Sequence, residues 1–536
     1  MATTTDQTPS VENTKGGDGS TLATDGSVLW LTPSGATFPW RTIALGAIGS
    51  AMIALAAVGA GGVLISDPLV GHGPLSWVRY GHGRAMAIVT LYAGFALAVW
   101  AWVRLGRHVL AGRVGAKPVL VAAGCWMAPL VFSPPVFTRD VFSYIGQGMQ
   151  TLLGHNPYDL GPIVLENMPV IVQNVHPFWQ TTPAPYGPLF LLIAKSLVSI
   201  TGNNMIFGVI LMRLSIMTGL GLVLWALPRL CQRLGGRLPV ALWLALASPL
   251  TVVHLVGGPH NEALMIGFLA FGVLMMLERK HVLGIGLVTA AMAVKATAGF
   301  ALPFMVWIWA RHLDHSSPVK RFLRAGASAV TVFLVVFTAI TFATFGWPHY
   351  NLGWLEGLEA PTRIVNYLNI PTGIGELAHT LFGWLFTDSA TIFVNVVRAL
   401  AMVALLGFVL RQWWLARDGG TDAVRRTAMV LLAVAILSPP TLPWYLTWGF
   451  TLAAAMPWKQ RHLATVVGVS VFLTLTYTPA GEDQMYTWPL MLVVVAASIV
   501  ASRSLLQPDP LGLFRNKQQV ERQDAPAADA SVAGSR

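Results

Sequence analysis

Residues 203–228 read NNMIFGVILMRLSIMTGLGLVLWALP. After a polar start the stretch is apolar throughout, with one charge, Arg213, near its middle. Roughly 20 apolar residues cross the hydrocarbon core of a bilayer as a helix. No other open backbone form satisfies its own hydrogen bonds there. The stretch is a membrane span, and Arg213 lies about ten residues, roughly 15 Å, from one end of it. Similar stretches recur along the chain. Of its 536 residues only 11% are charged, against 54% hydrophobic, where an ordinary soluble domain carries roughly 25% charged residues. A water-soluble enzyme is excluded, and so is a simple single anchor.

Outward from that span, apolar runs fall at 41–65, 84–103 and 118–135, then at 238–256, 262–278, 281–298, 299–312 and 324–346. The last five fall at 390–412, 427–441, 444–457, 463–479 and 487–504. The expectation is an all-α, polytopic membrane protein of about 14 transmembrane helices, with one catalytic domain over 41–504. Polar tails at 1–40 and 505–536 read as disordered and cytoplasmic. Two long polar intervals, 135–202 and 347–389, read as outer loops. Within them, 186–201 and 372–387 read as interfacial helices lying on the outer face. Counted as a span, 186–201 would carry Arg229, Arg233 and Arg237 to the outside. Laid flat, it keeps most Lys and Arg cytoplasmic, as membrane proteins require.

The net charge of +11 then reports topology. No basic face with interleaved aromatics exists, so nucleic acid is not a partner. The two cysteines, Cys125 in an apolar run and Cys231 beside Arg229 and Arg233, cannot build iron–sulfur or thiolate–zinc chemistry within the chain. No HExxH or comparable ligand spacing and no Gly-rich phosphate loop appears. Neither metal nor cofactor is expected.

The charges that topology leaves unexplained are the informative ones. Asp140 follows Pro134–Pro135 at the end of a span, at headgroup height, where a carboxylate can act as general base on a membrane-borne substrate. It could equally pair with Arg139 or cap the next helix. Lys295, Arg213 and Arg398 sit within apolar runs, and charges in hydrocarbon face a cavity or a partner. A lipid phosphate suits them, as do an acid or backbone carbonyls. His260, Asn261 and Glu262 follow Gly257-Gly258-Pro259 on an outer turn. They could bind sugar hydroxyls, orient Asp140, or simply begin a helix. Trp179, Tyr186, Trp347, Tyr350, Trp354, Tyr367, Trp444 and Tyr445 lie on the outer side, as sugar-stacking faces or as interfacial belt.

FTRDVFSYIGQG at 137–148, HNPY at 155–158 and TTPAPYGPLF at 181–190 resemble the first outer loop of the GT-C glycosyltransferases. These are polytopic enzymes that use polyprenyl-phosphate sugars. GNN at 202–204, GGPHNEALMIG at 257–267, AVKATAGFALPF at 293–304 and PWYLTW at 443–448 extend the resemblance over most of 65–490. They bring it nearest to the actinobacterial polyprenol-phosphate-mannose-dependent α-(1→6)-mannosyltransferases of lipomannan and lipoarabinomannan synthesis. The resemblance implies Asp140 as catalytic base, a polyprenyl-phosphate-mannose donor, a growing mannan lipoglycan as acceptor, and inversion at the anomeric carbon. It places the active site on the extracytoplasmic side of the plasma membrane. Lys295, Arg213 and Arg398 are the candidates for the donor phosphate. Arg139, Tyr144, Tyr186, His260, Asn261, Glu262, Trp444 and Tyr445 are the candidates for substrate contact. Two features depart from the broader family: Arg139 stands where many members have a second acid, and Asp140 follows the third predicted helix rather than the first. The rival readings are a flippase for a lipid-linked sugar and a sister enzyme with another linkage or a pentose donor.

Overall fold

The structure is a computed structural model that describes residues 38–314, 317–346, 353–354, 364–385, 390–508 and 510. The expected tails at 1–40 and 505–536 fall almost wholly outside the described residues, as do Trp347, Tyr350 and much of the interval 347–389. Among the described residues no strand forms; one isolated bridge joins Tyr477 and Asp483. The molecule is an all-helical membrane protein.

The first helices are α1 (Trp40–Ala60), α2 (Gly81–Leu110), α3 (Ala116–Val131), α4 (Asp140–Leu152), α5 (Pro188–Thr201) and α6 (Met205–Leu234). They are followed by α7 (Leu238–Ala245), a π-helical segment (Leu250–Gly257), α8 (Glu262–Leu277), α9 (His281–Val294), α10 (Leu302–Arg311) and α11 (Pro318–Phe345). The chain continues through α12 (Ile370–Phe382), α13 (Ala390–Leu415), α14 (Gly420–Leu437), α15 (Thr447–Ala453), α16 (Gln460–Thr474) and α17 (Trp488–Leu506). Local signals set many ends. The Asn204 side chain accepts from Phe207 N–H at the start of α6. Gly235, at φ 82°, ends the same helix in the left-handed region that glycine tolerates.

Among the described residues, six helices are long and apolar enough to cross a membrane, or seven if a bent pair counts as one span. The expected count of about 14 is not reached on this criterion. The run 238–256 is the bent pair, with α7 and the π segment meeting at 46°. Pro249 stands at the break. The runs 281–298 and 299–312 are parted elsewhere than expected: α9 stops at Val294, the chain is extended at Lys295, and a 3₁₀ turn (Ala296–Ala301) leads into α10. The run 444–457 holds only a 3₁₀ turn (Pro443–Leu446) and the seven-residue α15. Prolines 439, 440 and 443 precede it, and proline cannot continue a helix.

Packing is concentric. Nearly every residue of α8 is buried, as expected for a helix apolar on all faces. It lies between α6 and α9. At the other extreme, α13 buries only Val394, Leu405 and Gln412, so most of its apolar surface is left for lipid. The helix α4 packs on α5, which fixes the chain that follows Asp140.

Candidate active site

The site begins where α3 ends. Between Val131 and Asp140 the chain passes through Phe137, a non-glycine residue at φ 60°. Such a conformation is costly and persists only when neighbours enforce it. Here the Phe137 N–H donates to Pro479 O at 2.9 Å, and its buried ring packs against His254 with centroids 5.9 Å apart. This fixes the approach to Asp140, the first residue of α4, whose N–H donates to Thr138 Oγ1 at 3.1 Å. The carboxylate therefore sits at the positive end of a helix.

One Asp140 oxygen, Oδ2, lies 3.5 Å from Nδ1 of His260, whose side chain is fully buried, whereas that of Asp140 keeps 23% of its surface exposed. Burial pushes the Asp140 carboxyl up; His260 above all, then Lys295 and His176, outweigh that and hold it below its ordinary value. It stays ionised, ready to accept a proton. His260 is itself gripped: its ring stacks on Trp444 at 3.5 Å and 20°, with His254 6.3 Å away.

The next two residues close the other side. Glu262 is fully buried and its carboxylate takes the Lys295 ammonium. The ammonium also stands 4.3 Å over the Tyr445 ring and 5.6 Å from that of Trp448, so aromatic faces share the cation. Lys295 reaches this place because the chain leaves α9 there and runs extended. Tyr144 meets Tyr186 and Phe190 edge-on at 5.1 and 4.8 Å. Burial first pushes both phenols well up; Tyr186, Asp140 and Glu262 add to it for Tyr144, and Asp140, Tyr445 and Glu262 for Tyr186, so both remain neutral.

These groups surround the mouth of a cavity of about 790 Å³. Asp140, Tyr186, Lys295, Trp444 and Tyr445 line its polar end. The rest of its wall is apolar and includes Val306 of α10, Ala329 and Phe333 of α11, Leu405 of α13 and Val434 of α14. Among the described residues no group of three or more His, Cys, Asp or Glu could hold a metal ion.

Asp140, Tyr144, Tyr186, His260, Asn261, Glu262, Lys295, Trp444 and Tyr445, all singled out from sequence, thus come together. Three others do not line the cavity. Arg139 donates to Val63 O and Asn174 O at 3.3 and 3.1 Å. Arg398 donates to Thr372 Oγ1 and Ile364 O at 3.0 and 2.8 Å. Arg213 is fully buried and donates to Val256 O, Val131 O and Gly257 O at 2.8, 2.6 and 3.1 Å. Its charge is met by backbone carbonyls, the alternative to phosphate that sequence left open. Sequence reading misses His254 and Trp448. His254 could have been noticed as an ionisable residue inside an apolar run.

Fold and site define a polytopic integral membrane protein whose carboxylate–imidazole pair and lysine guard the mouth of an apolar cavity. The chain belongs to the α-(1→6)-mannopyranosyltransferase family. Residues 43–311 match the model of the α-(1→6)-mannopyranosyltransferase N-terminal domain, and residues 371–507 match the MptB C-terminal domain. It is 38% identical to α-(1→6)-mannopyranosyltransferase A of Mycobacterium tuberculosis, over 88% of this chain and 90% of that one. It is 31% identical to α-(1→6)-mannopyranosyltransferase A of Corynebacterium glutamicum, over 84% and 94%. The B enzyme of C. glutamicum is 27% identical over 83% and 77%. No solved structure gives a significant match. These matches confirm the family resemblance carried by the motifs.

Proposed function

We propose that this mannosyltransferase moves mannose from polyprenyl-phosphate-mannose to a growing α-(1→6)-mannan lipoglycan, with inversion, on the extracytoplasmic face of the plasma membrane. The observation that carries this reading is the placement of an ionised carboxylate, Asp140, at the polar mouth of a deep apolar cavity. The cavity suits a polyprenyl chain, and its volume lies within the usual range for ligand pockets, about 300–1,000 Å³. The sugar then stands at the mouth, between Asp140 and Lys295.

The chemistry is one displacement. The acceptor hydroxyl oxygen forms a bond to the anomeric carbon as the bond from that carbon to the phosphate oxygen breaks. The hydroxyl proton passes to Asp140, and the electron pair of the broken bond stays on the lipid phosphate. A hydroxyl is a poor nucleophile, so a positioned base matters. The departing phosphate gains negative charge, which Lys295 is placed to stabilise in a poorly solvated site. His260 holds the Asp140 carboxylate in place, and Glu262 holds the Lys295 side chain in place. Trp444 stacks on the His260 ring and Tyr445 lies under the Lys295 ammonium, so these aromatics hold in place the groups that meet the sugar.

The test uses the purified protein with polyprenyl-phosphate-mannose, a short α-(1→6)-mannoside acceptor and determination of the product linkage. Asp140→Asn is expected to lower kcat by about 10²–10⁴-fold with unchanged thermal unfolding. Lys295→Ala is expected to raise the donor KM. Retained transfer by Asp140→Asn overturns the base assignment. A product of another linkage overturns the acceptor assignment.

A further inference from the structure

The three carbonyls that receive Arg213 are not arbitrary. Val131 is the last residue of α3, and Val256 and Gly257 end the π segment. The last carbonyls of a helix lack partners within it and carry the negative end of its dipole. In the membrane such groups must find donors. The guanidinium supplies three from one rigid fork, with Nε to Val256 O, Nη1 to Val131 O and Nη2 to Gly257 O. Gly257 O also accepts from Val136 N–H at 3.3 Å. Among the described residues no acid lies in salt-bridge range of Arg213.

Val131 opens the stretch that delivers Asp140, and Gly257 stands three residues before His260. We infer that Arg213 is a positioning residue that clamps these two chain segments together, so that the Asp140 carboxylate and the His260 imidazole meet at the cavity mouth. This rests on the reading of Asp140 as the base. It gives the intramembrane arginine a task distinct from phosphate binding. To reach a phosphate in the cavity the side chain would have to abandon three helix-terminal carbonyls.

Lysine keeps the charge but is a point donor without the fork. Arg213→Lys is therefore expected to lower kcat by about 10- to 100-fold, the cost of misplacing reacting groups by an ångström or so. The donor and acceptor KM values are expected to hold within about twofold. Asp140 faces His260, Lys295 and His176, with the Tyr144 and Tyr186 hydroxyls and Glu262 nearby. With His260 displaced, the acid limb of the pH–rate profile moves upward. In a double-mutant cycle, Arg213→Lys adds little to His260→Gln, because both act through one contact. Arg213→Gln carries the same readouts if the lysine variant does not accumulate. A raised donor KM with unchanged kcat overturns the inference in favour of a phosphate ligand. Additive losses with an unmoved acid limb overturn it in favour of general stability. An active Asp140→Asn enzyme strikes the base assignment itself, separately from the clamp.

Discussion

Asp140 is caught between opposed influences, and their balance sets its pH behaviour. Burial disfavours its charge, while His260, Lys295 and His176 favour it, and the net result lies below the ordinary carboxyl value, about 3.9 for aspartate. A base works only when unprotonated, so activity is present above this depressed pKa and is lost as pH falls through it. The acid limb of kcat/KM is expected below about pH 3.9, and His260→Gln is expected to move it upward; an unmoved limb contradicts the pairing. Glu262 gives a second prediction. Its fully buried carboxylate holds the Lys295 ammonium, which is only 14% exposed. Glu262→Gln leaves that cation without its counter-charge and is expected to cost about 3–5 kcal/mol, read by thermal unfolding in detergent. Asp140 and Lys295 were legible in sequence because charges are so scarce in this chain that each isolated one stands out. The partners of Arg213 were not legible. They are backbone carbonyls 82, 43 and 44 residues away, and a carbonyl leaves no mark in the letters.

At the scale of elements, long spans show in sequence and broken ones do not. The run 203–228 matches α6 (Met205–Leu234) and 324–346 matches α11 (Pro318–Phe345), because hydropathy over a straight helix is the signal hydropathy measures. The breaks at Pro249 and Lys295 interrupt apolar runs without lowering their hydropathy much, so they read as continuous spans or misplaced joints. Those breaks shape the candidate site: past one the chain comes to His260, and at the other it presents Lys295. The site-bearing turn also depends on how closely α8 approaches α6. A Cβ added at Gly219 would lie 2.0 Å from Ala263 O, and one at Gly267 would lie 2.3 Å from Gly219 O. The two backbones touch there, the close approach that small residues permit between membrane helices. Gly219→Ala is expected to force them apart at a cost of about 1–3 kcal/mol. The unfolding temperature should fall, and kcat with it, since Ala263 directly follows the His260–Glu262 turn. Unchanged unfolding would show that the helices can part without cost.

At the scale of the molecule, the arrangement is a gradient from a dry centre to a lipid-facing rim, with the cavity crossing it. The buried helix α8 carries Glu262 at its start. The helices α11 and α13 bury few residues yet each contributes to the cavity wall. The space is therefore flanked by helices that meet the bilayer, as a lipid chain entering from the side requires. Ala329 marks its depth. It lines the cavity on α11, sixteen residues or roughly 24 Å from the Phe345 end of that helix. If the cavity holds the polyprenyl chain, Ala329→Trp blocks the depth and leaves the mouth open. The donor KM should then rise about tenfold, or 1.4 kcal/mol, for a long-chain polyprenyl donor. For a donor with a chain of only two isoprene units it should not change, since such a chain ends before it meets the indole. Equal losses for both donors would mean that the substitution distorts the mouth. No loss with either would place the chain outside this cavity.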